Sequence, residues 1–272
     1  MKYIKTTITA FILMFGLSLA AVGLADAVPV TVVQEDGRFQ LIRGGEPYDV
    51  RGAGLEVGDI GILAAHGGNS IRTWSTENPK ITALEVLDNA HKYGVTVAMC
   101  IEIGRERLGF DYNDEEAVAR QLEFARNEVM KYKDHPALLV WIFGNEVNLS
   151  FRNPKVFDAI NDISKMIHET DPYHPTTTAL AGFNPQQVRL VEERAPDLDF
   201  ISTQMYGGIV GLKRAIKAAQ YDGPLFVTEW GSIGHWEVGK TTWGAPIEQN
   251  SSEKAANYMK SYKAAIASNS AQ

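Results

Sequence analysis

Leu138-Leu139-Val140-Trp141-Ile142-Phe143-Gly144-Asn145-Glu146 passes from an unbroken apolar run to an amide and a carboxylate, with only a glycine between them. A short run rich in aliphatic and aromatic residues reads as a strand buried on both faces, as in a parallel sheet covered by helices. Two-residue alternation places Glu146 on the face of Gly144, Ile142 and Val140. An ionised glutamate at the end of such a strand is costly without a partner or a role. Pro224-Leu225-Phe226-Val227-Thr228-Glu229-Trp230-Gly231 repeats the design, with Glu229 aligned by the same alternation with Val227 and Leu225.

Outward from these two stretches, the chain repeats a short apolar run, a polar turn and an amphipathic segment, the signature of βα units around a parallel sheet. Strands are expected over 48–54, 70–74, 95–102, 137–146, 176–181, 200–206 and 225–229. Helices are expected over 57–66, 81–93, 114–133, 154–169, 185–194, 212–219 and 252–267. Residues 38–42 and 48–51, joined through Gly44-Gly45-Glu46-Pro47, suggest a hairpin leading into the first strand. The fold class is thus α/β, a (β/α)8 TIM barrel. Such a barrel needs eight strands over about 250 residues. Only seven are found, and Ser268-Asn269-Ser270-Ala271-Gln272 holds no apolar strand. The expectation is one catalytic domain over 28–272 that lacks its eighth strand through truncation at the C-terminus.

The chain has 272 residues, 45% hydrophobic and 22% charged, which suits a large folded core rather than disorder. A formal net charge of -7 argues against nucleic acid, whose phosphates call for a basic surface. Lys2 and Lys5, the apolar run 8–24 and Ala25-Asp26-Ala27 read as an export signal cleaved before Val28, with a periplasmic or extracellular destination. The alternative is a retained membrane anchor; after cleavage no membrane span is expected. The single cysteine, Cys100, forms no internal disulfide and reads as a core residue. No His-Glu-x-x-His or comparable spacing suggests a metal, and Gly52-Ala53-Gly54 lacks the third glycine of a dinucleotide site. No cofactor is expected.

Hydrolysis of a glycosidic bond with retention needs two carboxyl groups about 5 Å apart, one donating a proton and one attacking. In barrels, catalytic residues sit at the C-terminal ends of strands. Glu146 and Glu229 occupy such ends. Either alone is as readily a helix cap or an arginine partner; two in one βα series favour catalysis. Arg72, ending Asn69-Ser70-Ile71-Arg72, is placed to pair with a carboxylate, and Tyr206 at the end of the sixth strand to donate a hydrogen bond to it.

Gly-Asn-Glu at 144–146, Asn-x-Ile-Arg at 69–72, Gln-Met-Tyr at 204–206 and Thr-Glu-Trp-Gly at 228–231 together resemble clan A glycoside hydrolases, most closely the barrel domain of glycoside hydrolase family 2. Gly144-Asn145-Glu146-Val147-Asn148 is also similar to fungal-type β-1,3-glucanosyltransferases. The resemblance covers roughly residues 36 to 268. It implies Glu146 as acid/base, Asn145 as a contact to the sugar 2-hydroxyl, and Glu229 as nucleophile hydrogen-bonded by Tyr206 and Arg72. Two features depart from family 2. The aromatic sugar platform ending an eighth strand is missing, and the segment before the hairpin is too short for a β-sandwich domain.

The expected function is a retaining β-glycosidase acting on a β-linked glucan or related oligo- or polysaccharide. Alternatives are a β-glucan transglycosylase, a non-catalytic carbohydrate-binding barrel, or an inactive fragment. Trp74, Trp230, Trp236 and Trp243 fall where sugar-stacking rings would be useful, though Trp74 reads equally as rim packing. Glu56 and Glu102, after the first and third strands, are either caps or ligands of substrate hydroxyls, and His235 is near enough in sequence to reach the site. His66, His91 and His168 lie in helical patterns and read as structural.

Overall fold

A computed structural model describes residues 26–269. Of the expected export signal, the stretch 1–25 therefore lies outside the described residues. No helix among them is long and apolar enough to cross a membrane.

The chain opens with an antiparallel sheet of β1 (Val30–Glu35), β2 (Arg38–Arg43) and the two-residue β3 (Glu46–Pro47). Asp36 and Gly37, both at positive φ, make the turn between β1 and β2, and Gly44-Gly45 makes the turn into β3. Paired left-handed turn residues match the right-handed twist of the flanking strands. The expected hairpin is thus present but shifted. The long pairing is β1 with β2, while β2 meets β3 only at Ile42–Pro47 and Arg43–Glu46.

Seven βα units follow. In chain order they are β4 (Gly52–Gly54) with α1 (Ile60–Ala65), β5 (Ser70–Arg72) with α2 (Ala83–Lys92), and β6 (Thr96–Ile101) with α3 (Glu115–Tyr132). Next come β7 (Leu138–Asn145) with α4 (Lys155–Thr170), β8 (Thr176–Ala181) with α5 (Pro185–Arg194), β9 (Phe200–Tyr206) with α6 (Leu212–Ala219), and β10 (Leu225–Gly231) with α7 (Ser251–Asn269). The strands form one parallel sheet in the order β10-β9-β8-β7-β6-β5-β4. This is a nearly closed TIM barrel lacking one strand. Among the described residues nothing pairs with both β4 and β10, so a seam stays open between them, as the absence of an apolar run after 267 leads one to expect. The first barrel strand is shorter than expected because residues 48–51 belong to the crossing from the small sheet.

Alternation divides the core in two. Ile71, Met99, Trp141, Phe143 and Ile201 face the helices, while Ala98, Cys100, Val140, Ile142 and Phe200 fill the barrel. Burial pushes the Cys100 thiol up to about 11, which leaves it an inert core group. The small sheet closes the end at which the strands begin. Val30, Val32 and Leu41 join the inner cluster. The Tyr48 hydroxyl donates to the Asn69 carbonyl at 2.6 Å, and Arg43 donates to the Pro136 carbonyl at 2.6 Å. With that end plugged, the open face of the barrel is the one at which the strands terminate.

Candidate active site

β7 and β10 bring their carboxylates to this face by different routes. On β7 the inner positions are Val140 and Ile142, so alternation already aims residue 146 inward. The strand then leaves the pleat, with Gly144 at φ 80° and Glu146 at φ 52°. A side chain at 144 would be strained and would also meet Val147 Cγ1 at 2.8 Å, which explains the glycine. Glu146 N–H donates to the Ala179 carbonyl at 2.9 Å, and its own carbonyl accepts from Leu149 N–H at 3.1 Å and from Arg107 at 2.5 Å. Asn148 fixes the turn beyond, exchanging hydrogen bonds of 2.8 and 3.0 Å with the main chain of Ala181.

On β10, Leu225 packs against the outer core and Phe226 against the inner one. Unbroken alternation would therefore send Glu229 outward with Leu225. It points inward because the register slips: Val227 pairs with Thr203 and Glu229 with Gln204, leaving Thr228 as the extra residue of a β-bulge. The alignment of Glu229 with Val227 and Leu225 expected from the sequence is corrected here, although the mouth it was meant to reach is the one it occupies.

Glu229 accepts hydrogen bonds from Arg72 Nη1, from Trp74 Nε1 at 2.8 Å and from the Tyr206 hydroxyl at 2.7 Å. Its ion pair with Arg72 is nearly dry, the side chains being 5% and 11% exposed for Arg72 and Glu229. The second guanidinium arm of Arg72 donates to Asn145 Oδ1 at 2.7 Å, and Gln204 Nε2 donates to the same oxygen at 2.8 Å. With its oxygen occupied, Asn145 has its amide N–H2 left to donate outward. Burial, the hydrogen bond to Glu229 and the charge of that carboxylate all push the Tyr206 hydroxyl up, so it remains a donor.

Glu146 stands in a contrasting environment. Burial and then the Glu229 charge raise its carboxyl above the usual range, with Arg107, Arg72 and Arg105 opposing. The arrangement is therefore one carboxylate charge-paired and triply hydrogen-bonded beside a second whose proton is retained to higher pH.

The remaining expected residues are placed as follows. Trp74 packs against Gly54, where a Cβ would meet its ring at 2.7 Å, and donates its indole N–H to Glu229. Trp230 stacks on Tyr258 at 4.3 Å between ring centres, which ties β10 to α7 and covers one of its faces. Trp236 is 58% exposed and stands edge-on to Tyr206 at 5.2 Å, with His235 beside it; Trp243 is 80% exposed. Glu102 pairs with Arg105. Glu56 accepts from the main chain of Trp74 and Ser75 and from Asn78, which makes it the cap of the loop after β5. His66 bonds to the Ile62 carbonyl, His91 stands edge-on to His135, and His168 pairs with Asp199 just ahead of β9. Gln204 and Arg107 received no role from the sequence. Gln204 lies inside a quoted motif, whereas Arg107 sits in a loop with no pattern to distinguish it.

A cavity of about 1260 Å³ meets the site at Glu229, Arg72, Trp74 and Tyr206 and runs down the seam to Phe39 and Leu41 of the small sheet. It exceeds the common 300–1,000 Å³ of a ligand pocket because it includes the open seam. Glu146 stands outside its lining.

No family model matches this sequence, and no curated protein is similar to it. Among solved structures, the fold is similar to the β-D-glucuronidase of Dictyoglomus thermophilum, with a TM-score of 0.61 and 18% identity over 88% of this chain and 44% of that one. It is also similar to a β-glucuronidase from Ruminococcus gnavus (TM-score 0.64, 17% identity, 89% and 44% covered). A GH2 β-galacturonidase from Eisenbergiella tayi is a further match (TM-score 0.61, 14% identity, 89% and 44% covered). The chain spans less than half the length of each. At this identity the likeness establishes the fold, that of the barrel part of such glycosidases.

Proposed function

We propose that the protein is a retaining β-glycosidase that acts outside the cytoplasm, with Glu229 as nucleophile and Glu146 as acid/base. The observation that carries the reading is the opposite treatment of two carboxyl groups at one barrel mouth: Glu229 is ion-paired with Arg72 and held by Trp74 and Tyr206, while Glu146 is pushed toward its protonated form. Glu146 protonates the leaving oxygen as Glu229 attacks the anomeric carbon, forming a covalent glycosyl-enzyme and releasing the alcohol. Glu146, now ionised, takes a proton from water, whose oxygen displaces Glu229 and releases the sugar. Asn145 presents its amide N–H2 to the sugar 2-hydroxyl, and exposed Trp236 extends the site as a stacking surface. Glu102, paired with Arg105 and partly exposed, supports the rim of the site.

The solved neighbours named for β-glucuronide and β-galacturonide chemistry widen the substrate class from the glucan suggested by sequence to β-glycosides including uronides. The test is incubation with 4-nitrophenyl β-glucoside, β-galactoside, β-mannoside and β-glucuronide and with β-glucans, following the first-formed anomer by proton NMR. A β-anomer from at least one of them is expected. First-formed α-anomer, or turnover of none, overturns the reading.

A further inference from the structure

The β6–α3 loop makes an unexpected reach into the loop that carries Glu146. Two consecutive residues in its 3-10 turn, Glu106–Leu108, do this work. Glu106 Oε2 accepts main-chain N–H groups from Arg152 at 2.5 Å and Asn153 at 3.0 Å, while Arg107 Nη1 donates to the Glu146 carbonyl. The turn is itself braced: Gly104 N–H donates to Gln121 Oε1 at 2.6 Å, and the Tyr112 hydroxyl donates to the Gly104 carbonyl at 2.5 Å. Glu146 holds a left-handed backbone, which a non-glycine residue keeps only when its surroundings enforce it, at a cost of roughly 1–3 kcal/mol. The Glu146 carbonyl is thus where an otherwise unfavourable conformation is gripped by a side chain.

We propose that Arg107 is a positioning residue for the acid/base, gripping the Glu146 carbonyl so that the carboxyl is delivered to the glycosidic oxygen. The inference rests on the acid/base assignment made above. Its charge adds a second effect. The ionisable groups around Glu146 are Glu229 from β10, Arg72 from β5, Tyr206 from β9, and Arg105 and Arg107 from this loop. Among the groups opposing the rise of the Glu146 carboxyl, Arg107 is the foremost. Removing it therefore raises the Glu146 carboxyl further and moves the basic limb of the kcat/KM profile to higher pH.

The experiment compares Arg107→Gln and Arg107→Lys with wild type on a 4-nitrophenyl β-glycoside and a methyl β-glycoside of the same sugar. An acid is needed for the second and hardly for the first. Arg107→Gln is expected to lose about 10- to 100-fold in kcat/KM on the methyl glycoside, the scale of a catalytic group displaced by about 1 Å, and less than about threefold on the aryl glycoside. Its basic limb should move to higher pH, and Arg107→Lys, which keeps the charge, should leave that limb in place. Equal losses on both substrates, or a wild-type ratio with an unmoved limb, overturn the proposal. Should Arg107→Gln not fold, Arg107→Lys still decides, since a shorter cation that reaches the carbonyl less well must show the same leaving-group bias. Glu146→Gln run alongside separates the two failures. If it lacks leaving-group dependence the acid/base assignment falls, whereas if it shows the dependence and the Arg107 variants do not, only the present proposal falls.

Discussion

β7 and β10 both deliver a glutamate to the same mouth, yet they share almost nothing beyond that. β7 is the middle strand of seven, its residues Leu138–Phe143 wholly buried; β10 is an edge strand beside the seam, and only Thr228 along it is buried. The central strand has its phase right and bends its own backbone to raise Glu146. The edge strand has its phase wrong by one residue and corrects it with a bulge. Glu146 is accordingly held through its main chain and by Arg107, whereas Glu229 is held by three side chains from two other strands, Arg72 and Trp74 from β5 and its loop and Tyr206 from β9. A packed interior supports a strained backbone; at an edge, aim has to come from side-chain partners.

Breaking the edge-strand solution gives the largest expected effect. Glu229→Ala should lower kcat by at least about 10⁴-fold, with azide partly restoring turnover to an inverted glycosyl azide. Deletion of Thr228 should be far milder, because without the extra residue Glu229 follows Val227 directly and plain alternation keeps it on the inner face opposite Gln204. Circular dichroism would show the fold kept. A folded deletion variant as inactive as Glu229→Ala would mean that Glu229 does not share the inner phase of Phe226.

On the central strand the expected effect depends on the substrate. Glu146→Ala should cost about 10²–10⁴-fold on methyl glycosides, while the first step on activated aryl glycosides is spared and a glycosyl-enzyme accumulates. Mass spectrometry of the intact protein reads that adduct. If Glu146→Ala rather than Glu229→Ala gave the azide-rescued, inverted product, the two strands would have exchanged roles.

The comparison also explains what the sequence disclosed. The seven βα units were legible because short, mostly buried strand segments recur between amphipathic helices, and the ends of β7 and β10 stood out because a carboxylate follows an apolar run in each. The bulge did not, since Val227-Thr228-Glu229 reads as smooth alternation and only its pairing with Thr203 and Gln204 exposes the slip. β1 was missed although Val30-Thr31-Val32-Val33 and the Asp36-Gly37 turn carry an ordinary hairpin signal; the adjoining export-like segment drew that stretch away from the fold. Arg107 was invisible for a physical reason. Its partner is a main-chain carbonyl, and such a bond leaves no residue-type pattern.

β7 is anchored at its other end too, which sharpens the contrast with β10. Trp141 Nε1 donates to Asp171 Oδ2 at 2.7 Å, and the same oxygen pairs with His174 at 2.8 Å, both side chains of that pair being fully buried. Burial alone would raise the Asp171 carboxyl, but His174, Trp141 and Tyr173 N–H outweigh it and hold it below the usual range. A carboxyl lowered on folding contributes stability above its unfolded pKa of about 3.9 and loses that contribution as pH falls through its folded value. Asp171→Asn should therefore cost about 3 kcal/mol near neutrality, as removal of one partner of a buried pair does, and should flatten the acid limb of urea stability. An unchanged slope between neutral and acid pH would exclude the anchor.

The smallest effect expected is that of Trp74→Phe, which probes how the three donors share Glu229. The substitution keeps a ring against Gly54 and over the Arg72 guanidinium, now 5.0 Å from the Trp74 ring, and removes only the indole N–H bonded to Glu229 Oε1. That oxygen keeps Arg72, so the loss is one hydrogen bond to a charged acceptor, about 1.5–3 kcal/mol in full. Part of it also stabilises the resting enzyme, and an interaction made equally in ground and transition states does not alter kcat. The drop in kcat/KM should then be about tenfold or less. Tyr206→Phe takes from Oε2 the one donor it has among the described residues and should cost more. Kinetics on one aryl glycoside rank the two variants. A larger loss for Trp74→Phe than for Tyr206→Phe would mean that Arg72 does not cover Oε1, and that the edge strand depends on its tryptophan more than on its charge.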